Sequence, residues 1–233
     1  MYQAFKRLFD IVASGIAILL LLPFALPVML LLRLTGEGKI FYRQERLGYK
    51  NQKFSILKFA TMLEDSLNMP GGEITLDKDP RITPMGGILR KTKINELPQL
   101  WNVFVGDMSI VGPRPLMRVS FDMYSPEVQE IVYESRPGLT GIGSLVFRDE
   151  AGLVKASGED PRAYYRNVIY PHKGALESWY FKNRSTWTDI KIIILTAVSI
   201  LFPGSSFASS AFQGLPELDA RLNESPTPVQ EGD

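Results

Sequence analysis

The stretch from Leu89 to Pro115, LRKTKINELPQLWNVFVGDMSIVGPRP, gathers residue types suited to phosphate chemistry. Arg90, Lys91 and Lys93 place three cations ahead of the polar pair Asn95-Glu96. A guanidinium grips two phosphate oxygens at once, whereas an ammonium acts as a point charge. Downstream, Gly112-Pro113-Arg114-Pro115 sets another arginine between two rings that each lock φ near about −65°. These are features of a phosphate-handling site. Each part also has a plain structural reading. Asn is a good helix N-cap, a Glu in the first turn suits the helix dipole, and Gly-Pro-Arg-Pro makes a stiff turn. Taken together they favour function.

These residues must be held by elements the pattern also indicates. Leu97, Leu100, Trp101 and Phe104 fall on one face of a helix, which the spacing predicts to begin at Asn95-Glu96. An anion at that start would meet unpaired N–H groups, and Pro98 is tolerated so early in the helix. Phe54 to Phe59 has the content of a short strand and carries Lys58, a weaker candidate cation. Glu64 to Pro84 is polar and turn-rich, a loop over the site; Asp77 and Asp79 are metal-ligand candidates there, with a solvated loop preferred. Short helical patterns follow near Glu127 to Ser135 and Pro161 to Tyr170, with a turn at Arg136 to Gly141 and His172 in a surface turn. Thr186 and Asp189 give a capping pattern before the apolar run Ile190 to Phe202. That run is too short to span a bilayer, and lies on its surface or packs under the first apolar segment.

The chain of 233 residues is 45% hydrophobic, enough for one cored domain plus an appendage. Its net charge of +1 gives no bulk affinity for nucleic acid. The absence of cysteine excludes disulfides, thiolate zinc sites and cysteine nucleophiles, and a single histidine excludes multi-histidine metal sites. The appendage is the uncharged run Ile11 to Leu32, long enough to cross a core of roughly 30 Å. Pro23 and Pro27 interrupt it, and cations flank both ends: Lys6 and Arg7 before, Arg33, Lys39, Arg43 and Arg46 after. Positive residues prefer the cytoplasmic side, so both ends claim it. A re-entrant hairpin bent at Pro23 satisfies both; a kinked single span is the competing reading. Beyond Pro203 the composition turns to Ser, Gly, Pro and acidic residues, as in a mobile tail.

The central stretch resembles the small monotopic bacterial phosphoglycosyl transferases, the bacterial sugar transferases that initiate glycan assembly on a polyprenol phosphate. Their motif is matched by Arg90-Lys91-Thr92, Asn95 to Gln99 and Gly106 to Pro115. Further segments agree: Phe41 to Gly48, Lys58-Phe59-Ala60-Thr61-Met62 and Arg136 to Gly141. The resemblance implies a membrane transferase with a helix broken at a proline, which passes a sugar 1-phosphate from a UDP-sugar to undecaprenyl phosphate and releases UMP. It implies Asn95 and Glu96 as the catalytic pair, Glu96 as ligand to Mg²⁺, and Lys58, Arg90 and Arg114 as substrate-binding residues.

The segment Ile142 to Glu150 and three further positions depart from the family pattern. Leu22-Pro23 stands where Ser-Pro is common, Ala60 where an arginine is, and Asn95 where the family has a nucleophilic Asp. An amide lacks the charge of that carboxylate and is a poor nucleophile. Three readings stay open: an introduced isosteric substitution, a natural branch using Glu96 or direct attack by the lipid phosphate, and a silent nucleotide-sugar-binding or scaffold homologue. The expected whole is an α-rich α+β monotopic protein: residues 1–35 a re-entrant membrane hairpin, 36–203 a small cytoplasmic catalytic domain with interfacial helices, 204–233 a mobile acidic tail. It is expected at the cytoplasmic face of the bacterial inner membrane, in exopolysaccharide, capsule or O-antigen synthesis. Its partners are a UDP-sugar, polyprenol phosphate and inner-membrane lipid, without nucleic acid; a homodimer stays open.

Overall fold

A computed structural model describes residues 2–66, 68–69, 79–202 and 211–217. Asp77 lies outside them. The fold is helix-rich with two small two-stranded sheets, mixed α+β, and divides into two compact units. The first unit contains Gln3–Arg46 and Lys53–Ile110; the second contains Tyr2, Leu47–Gln52 and the chain from Val111 onward.

The first unit begins with α1 (Tyr2–Leu34), a helical element that continues through Pro23 and Pro27. Only Asp10, Ser14 and Leu32 are buried in it, while Leu19, Leu20 and Phe24 are each about two-thirds exposed or more. A helix this long and apolar, with its hydrophobic side chains facing out, is consistent with a monotopic membrane anchor. Both arms of α1 dock on the same unit. Toward the N-terminus, the Arg7 guanidinium donates to the carbonyls of Val103 and Phe104, each at 2.7 Å. Asp10 Oδ1 accepts from the Ile110 N–H at 2.9 Å. Toward the C-terminus, Leu32 packs with Phe59 and Leu89, joined by Ala25, Val28 and Met29.

Strands β1 (Phe41–Leu47) and β2 (Lys53–Phe59) pair, and α2 (Pro84–Lys91) and α3 (Gln99–Val105) pack near them. Thr83 caps α2, its hydroxyl accepting from the Gly86 N–H, so the helix starts at Pro84, the last residue of the expected loop. β2 and α3 meet through Asn102, whose Oδ1 accepts from Leu57 N–H and whose Nδ2 donates to Ser55 O, both at 2.9 Å. Ile56, Val103 and Met108 form the core beneath this contact. The short strand β3 (Ser109–Val111) leads out of the unit.

The second unit has α4 (Arg118–Phe121), α5 (Pro126–Ile131), β4 (Gly138–Thr140), α6 (Ile142–Val146), α7 (Glu150–Ser157) and α8 (Pro161–Tyr164). A π-helical turn, Tyr165–Ile169, joins α8 to α9 (Tyr170–Asn183), and α10 (Thr186–Leu201) follows. Its core gathers Leu47, Leu116, Phe121, Tyr124, Val132, Tyr133 and Tyr170. His172 is therefore not in a surface turn: it sits in the first turn of α9, with Nδ1 2.7 Å from Val168 O. The cap of α10 is Ser185 rather than Thr186, and Asp189 instead accepts from the hydroxyls of Tyr2 and Tyr180. Part of the expected tail is packed, with buried Phe212 edge-on to Trp179 and Trp179 Nε1 donating to Gln213 O.

Candidate active site

Asn95 and Glu96 do not open a helix. They lie in a single 3₁₀ turn, Ile94–Glu96, between α2 and α3. Lys93 ahead of the turn is left-handed at φ 60°, a conformation that costs a side-chain-bearing residue roughly 1–2 kcal/mol. The turn carries Asn95 inward to 7% exposure, and its Oδ1 is buried without a hydrogen-bond partner. Such an acceptor costs about 1–3 kcal/mol if nothing ever satisfies it. Glu96 faces the end of β2, where Lys58 Nζ stands 3.7 Å from Oε1, both side chains under one-fifth exposed.

Arg90, in the last turn of α2, lies within the field of the same carboxylate. Burial pulls its guanidinium below the ordinary value, while the charges of Asp79 and Glu96 oppose that shift. Asp79 is not a solvated loop residue. It is 6% exposed and grips Arg81 with both oxygens, Nε to Oδ1 at 2.8 Å and the terminal nitrogen to Oδ2 at 2.6 Å. Arg81 also donates to Ser66 O, so the pair closes the base of the loop between β2 and α2.

The periodicity misassigned α3. Leu100 and Val103 are buried together with the polar Gln99 and Asn102, while Trp101 and Phe104 are exposed. Gly106 ends the helix at φ 104°, and the Asp107 carboxylate accepts from Asn102 Nδ2 at 3.2 Å.

Arg114 belongs to the second unit, on a loop built by backbone contact. Gly112 N–H donates to Thr140 O at 2.9 Å, and Gly138 N–H to Pro113 O at 2.8 Å. A Cβ on Gly112 would come 2.4 Å from Arg136 O, and one on Gly138 2.1 Å from Gly112 N, so only glycine permits this approach. The Gly-Pro-Arg-Pro and Arg-Pro-Gly-Leu-Thr-Gly segments are thus two sides of one structure, with the Arg114 side chain exposed at its edge.

Beside it is a buried charge cluster. Lys173 Nζ bonds Glu150 Oε2 at 2.7 Å and lies over the rings of Phe147 and Tyr170. Burial lowers the Lys173 ammonium, with Glu150 opposing and Arg114 contributing a like charge. Glu177, on the same helix, is pushed up from 4.5 to about 8 by burial, against the pull of Lys173 and of the Gly143 N–H.

A family model described as Bacterial sugar transferase matches residues 1–203, and so takes in both units. The chain belongs to the bacterial sugar transferase family. It is 32% identical over 216 residues to the exopolysaccharide production protein ExoY of Rhizobium meliloti, covering 87% of this chain and 88% of that protein. It is 35% identical over 206 residues to the UDP-glucose:undecaprenyl-phosphate glucose-1-phosphate transferase of Caulobacter vibrioides, covering 87% and 72%. It is also 35% identical over 202 residues to the UDP-N-acetylgalactosamine-undecaprenyl-phosphate N-acetylgalactosaminephosphotransferase of Aeromonas hydrophila, covering 86% of this chain but 44% of that larger protein.

For this bacterial sugar transferase, the first unit therefore assembles Lys58, Arg90, Asn95 and Glu96 around one turn. Arg114 stands in the second unit, with its own support. Sequence reasoning missed the Asp79–Arg81 pair, Asn102, Tyr133 and the cluster of Glu150, Lys173 and Glu177. Asp79 and Arg81, two residues apart in an Asp-Pro-Arg turn, were the one pair with a readable signal.

Proposed function

We propose that the chain transfers a sugar 1-phosphate from a UDP-sugar to undecaprenyl phosphate, releasing UMP, as the initiating step of exopolysaccharide, capsule or O-antigen synthesis. The observation that carries this reading is the Lys58–Glu96 pair beside the unpartnered Asn95 Oδ1, in the unit that also bears the apolar helix α1. Such an anchor keeps the chemistry at headgroup level, where a lipid phosphate and a soluble nucleotide sugar meet. The flanking cations of α1 support a re-entrant insertion with both ends at the cytoplasmic face of the inner membrane. Labels at Tyr2 and Lys39 should then react from the cytoplasm alone; reaction from opposite sides makes α1 a single span.

The residues fit a Mg²⁺ ion held mainly by substrate. Glu96 offers one carboxylate and Asn95 Oδ1 a second hard oxygen, while both Asp79 oxygens are engaged by Arg81. Among the described residues no trio of His, Cys, Asp or Glu gathers, and further ligands to such an ion would be phosphates and water. When bound, the ion neutralises charge developing on the diphosphate. Lys58 holds the Glu96 carboxylate in place, and Arg90 and Arg114 each orient phosphate oxygens through two-pronged contacts.

In the family pattern a carboxylate at position 95 attacks the sugar-bearing phosphorus, forming a P–O bond as the bond to UMP breaks. Asn95 matches that carboxylate in size and lacks its charge. The test is UMP release from UDP-glucose, UDP-galactose and UDP-N-acetylgalactosamine, with and without undecaprenyl phosphate, by this chain and by Asn95→Asp. Release that depends on the lipid supports the proposal. Silence of both proteins with every sugar returns the chain to the binding or scaffold reading.

A further inference from the structure

Arg114 is exposed, yet its backbone is fixed on both sides. Ahead of it, the Pro113 carbonyl accepts from Gly138 N–H, and Gly112 is locked against Arg136 to Thr140. Behind it, Leu116 O accepts from Leu47 N–H at 2.8 Å. Pro115 restricts Arg114 itself to extended conformations and contributes no N–H of its own. Two backbone groups in this segment, Arg114 C=O and Leu116 N–H, are satisfied by one side chain. The Tyr133 hydroxyl donates to Arg114 O at 2.9 Å and accepts from Leu116 N–H at 2.9 Å. Tyr133 is 1% exposed, stacks on Phe121 with ring centres 5.7 Å apart, and its own carbonyl accepts from Lys50 N–H. A single oxygen, held rigid by a core ring, thus spans Pro115 and pins the backbone from which Arg114 projects.

We infer that Tyr133 is a positioning residue for Arg114: its hydroxyl fixes the direction in which that guanidinium is presented to a phosphate. This rests on the reading of Arg114 as a phosphate-gripping residue. A bidentate contact demands an aimed fork, which a chain free to rotate about the Arg114 backbone does not supply. Tyr133→Phe keeps the ring, its volume and its stack on Phe121, and removes only the bridging oxygen.

The test is calorimetric titration of the full-length protein in nanodiscs with UDP as probe, for Tyr133→Phe, Arg114→Ala, the double variant and Phe121→Leu. Arg114→Ala should weaken UDP binding by about 10- to 100-fold and Tyr133→Phe by about tenfold. In the Arg114→Ala background, Tyr133→Phe should change nothing further, because there is no fork left to aim. Phe121→Leu, which disturbs the same core and spares the hydroxyl, should lower the melting temperature and leave UDP affinity in place. Equal and additive losses from Tyr133→Phe in both backgrounds, or a matching loss from Phe121→Leu, reduce Tyr133 to a core residue and overturn the inference. Unchanged affinity in Arg114→Ala overturns it from the other side, by removing Arg114 from nucleotide binding while the Glu96 site stands.

Discussion

Two ion pairs in the first unit differ in ways that separate scaffold from site. The side chains of Asp79 and Arg81 are 3% and 2% exposed, bonded through both carboxylate oxygens and at 2.6 Å at the closest. Lys58 and Glu96 are 17% and 19% exposed, and at 3.7 Å stand beyond hydrogen-bond distance. The first pair has its geometry completed by protein and closes a loop. The second is a looser ion pair near a buried acceptor, Asn95 Oδ1, that protein leaves unmet. The tight pair is a structural lock, whereas the turn of Asn95 and Glu96 keeps one buried acceptor, Asn95 Oδ1, without a protein donor.

The largest effect should come from breaking the tight pair. Asp79→Asn leaves the Arg81 charge buried against an amide, which should cost about 3–5 kcal/mol of stability in denaturant unfolding. A loss under about 1 kcal/mol would make this pair as dispensable as a surface one. Glu96→Gln should behave oppositely: unfolding nearly unchanged, while turnover of an active form falls about 10²–10³-fold. If Glu96→Gln instead unfolds the protein, the distinction between the two pairs collapses.

A third carboxylate sharpens the comparison through pH. Glu177 is fully buried and its carboxyl is raised from 4.5 to about 8, so the folded chain keeps a proton that the unfolded chain releases between those values. Its contribution is whole below pH 4.5 and is lost as pH rises toward 8, by at most about 1.4 kcal/mol per pH unit. Glu177→Gln, neutral throughout, should flatten that slope in melting curves taken from pH 5 to 8. The smallest effect belongs to Lys53 and Glu45, paired at 2.8 Å with both side chains about two-thirds exposed. Lys53→Met should shift stability by less than about 0.5 kcal/mol, which a simple thermal melt can check.

Much of this arrangement was legible in the sequence because it depends on local chemistry. Pro23 and Pro27 inside an uncharged run, and Arg114 between two prolines, declare themselves through residues with fixed backbone behaviour. What escaped depends on contacts distant in sequence. Asn102 reads as polar and outward, yet it is buried because β2 offers its side chain both a donor and an acceptor. That contact turns α3 so that Trp101 and Phe104, the residues periodicity would bury, face out. Asn95 and Glu96 carried a capping signature, and a left-handed Lys93 placed them in a 3₁₀ turn instead. Lys173 and Glu177 look like the solvated face of a helix; Glu150, twenty-three residues before Lys173, is what allows the lysine inside.

The turn holding Asn95 and Glu96, read as a phosphoryl-transfer site, carries an amide where the family pattern has its nucleophilic carboxylate. Intact-mass analysis tests this reading most directly, after incubation with a UDP-sugar and Mg²⁺ in the absence of lipid acceptor. This chain should show no mass gain, and Asn95→Asp should gain one sugar phosphate located on the new carboxylate, abolished in Asn95→Asp/Glu96→Gln. An adduct on the Asn95 protein, or an Asn95→Asp protein that carries its sugar phosphate on a carboxylate elsewhere, would contradict this reading.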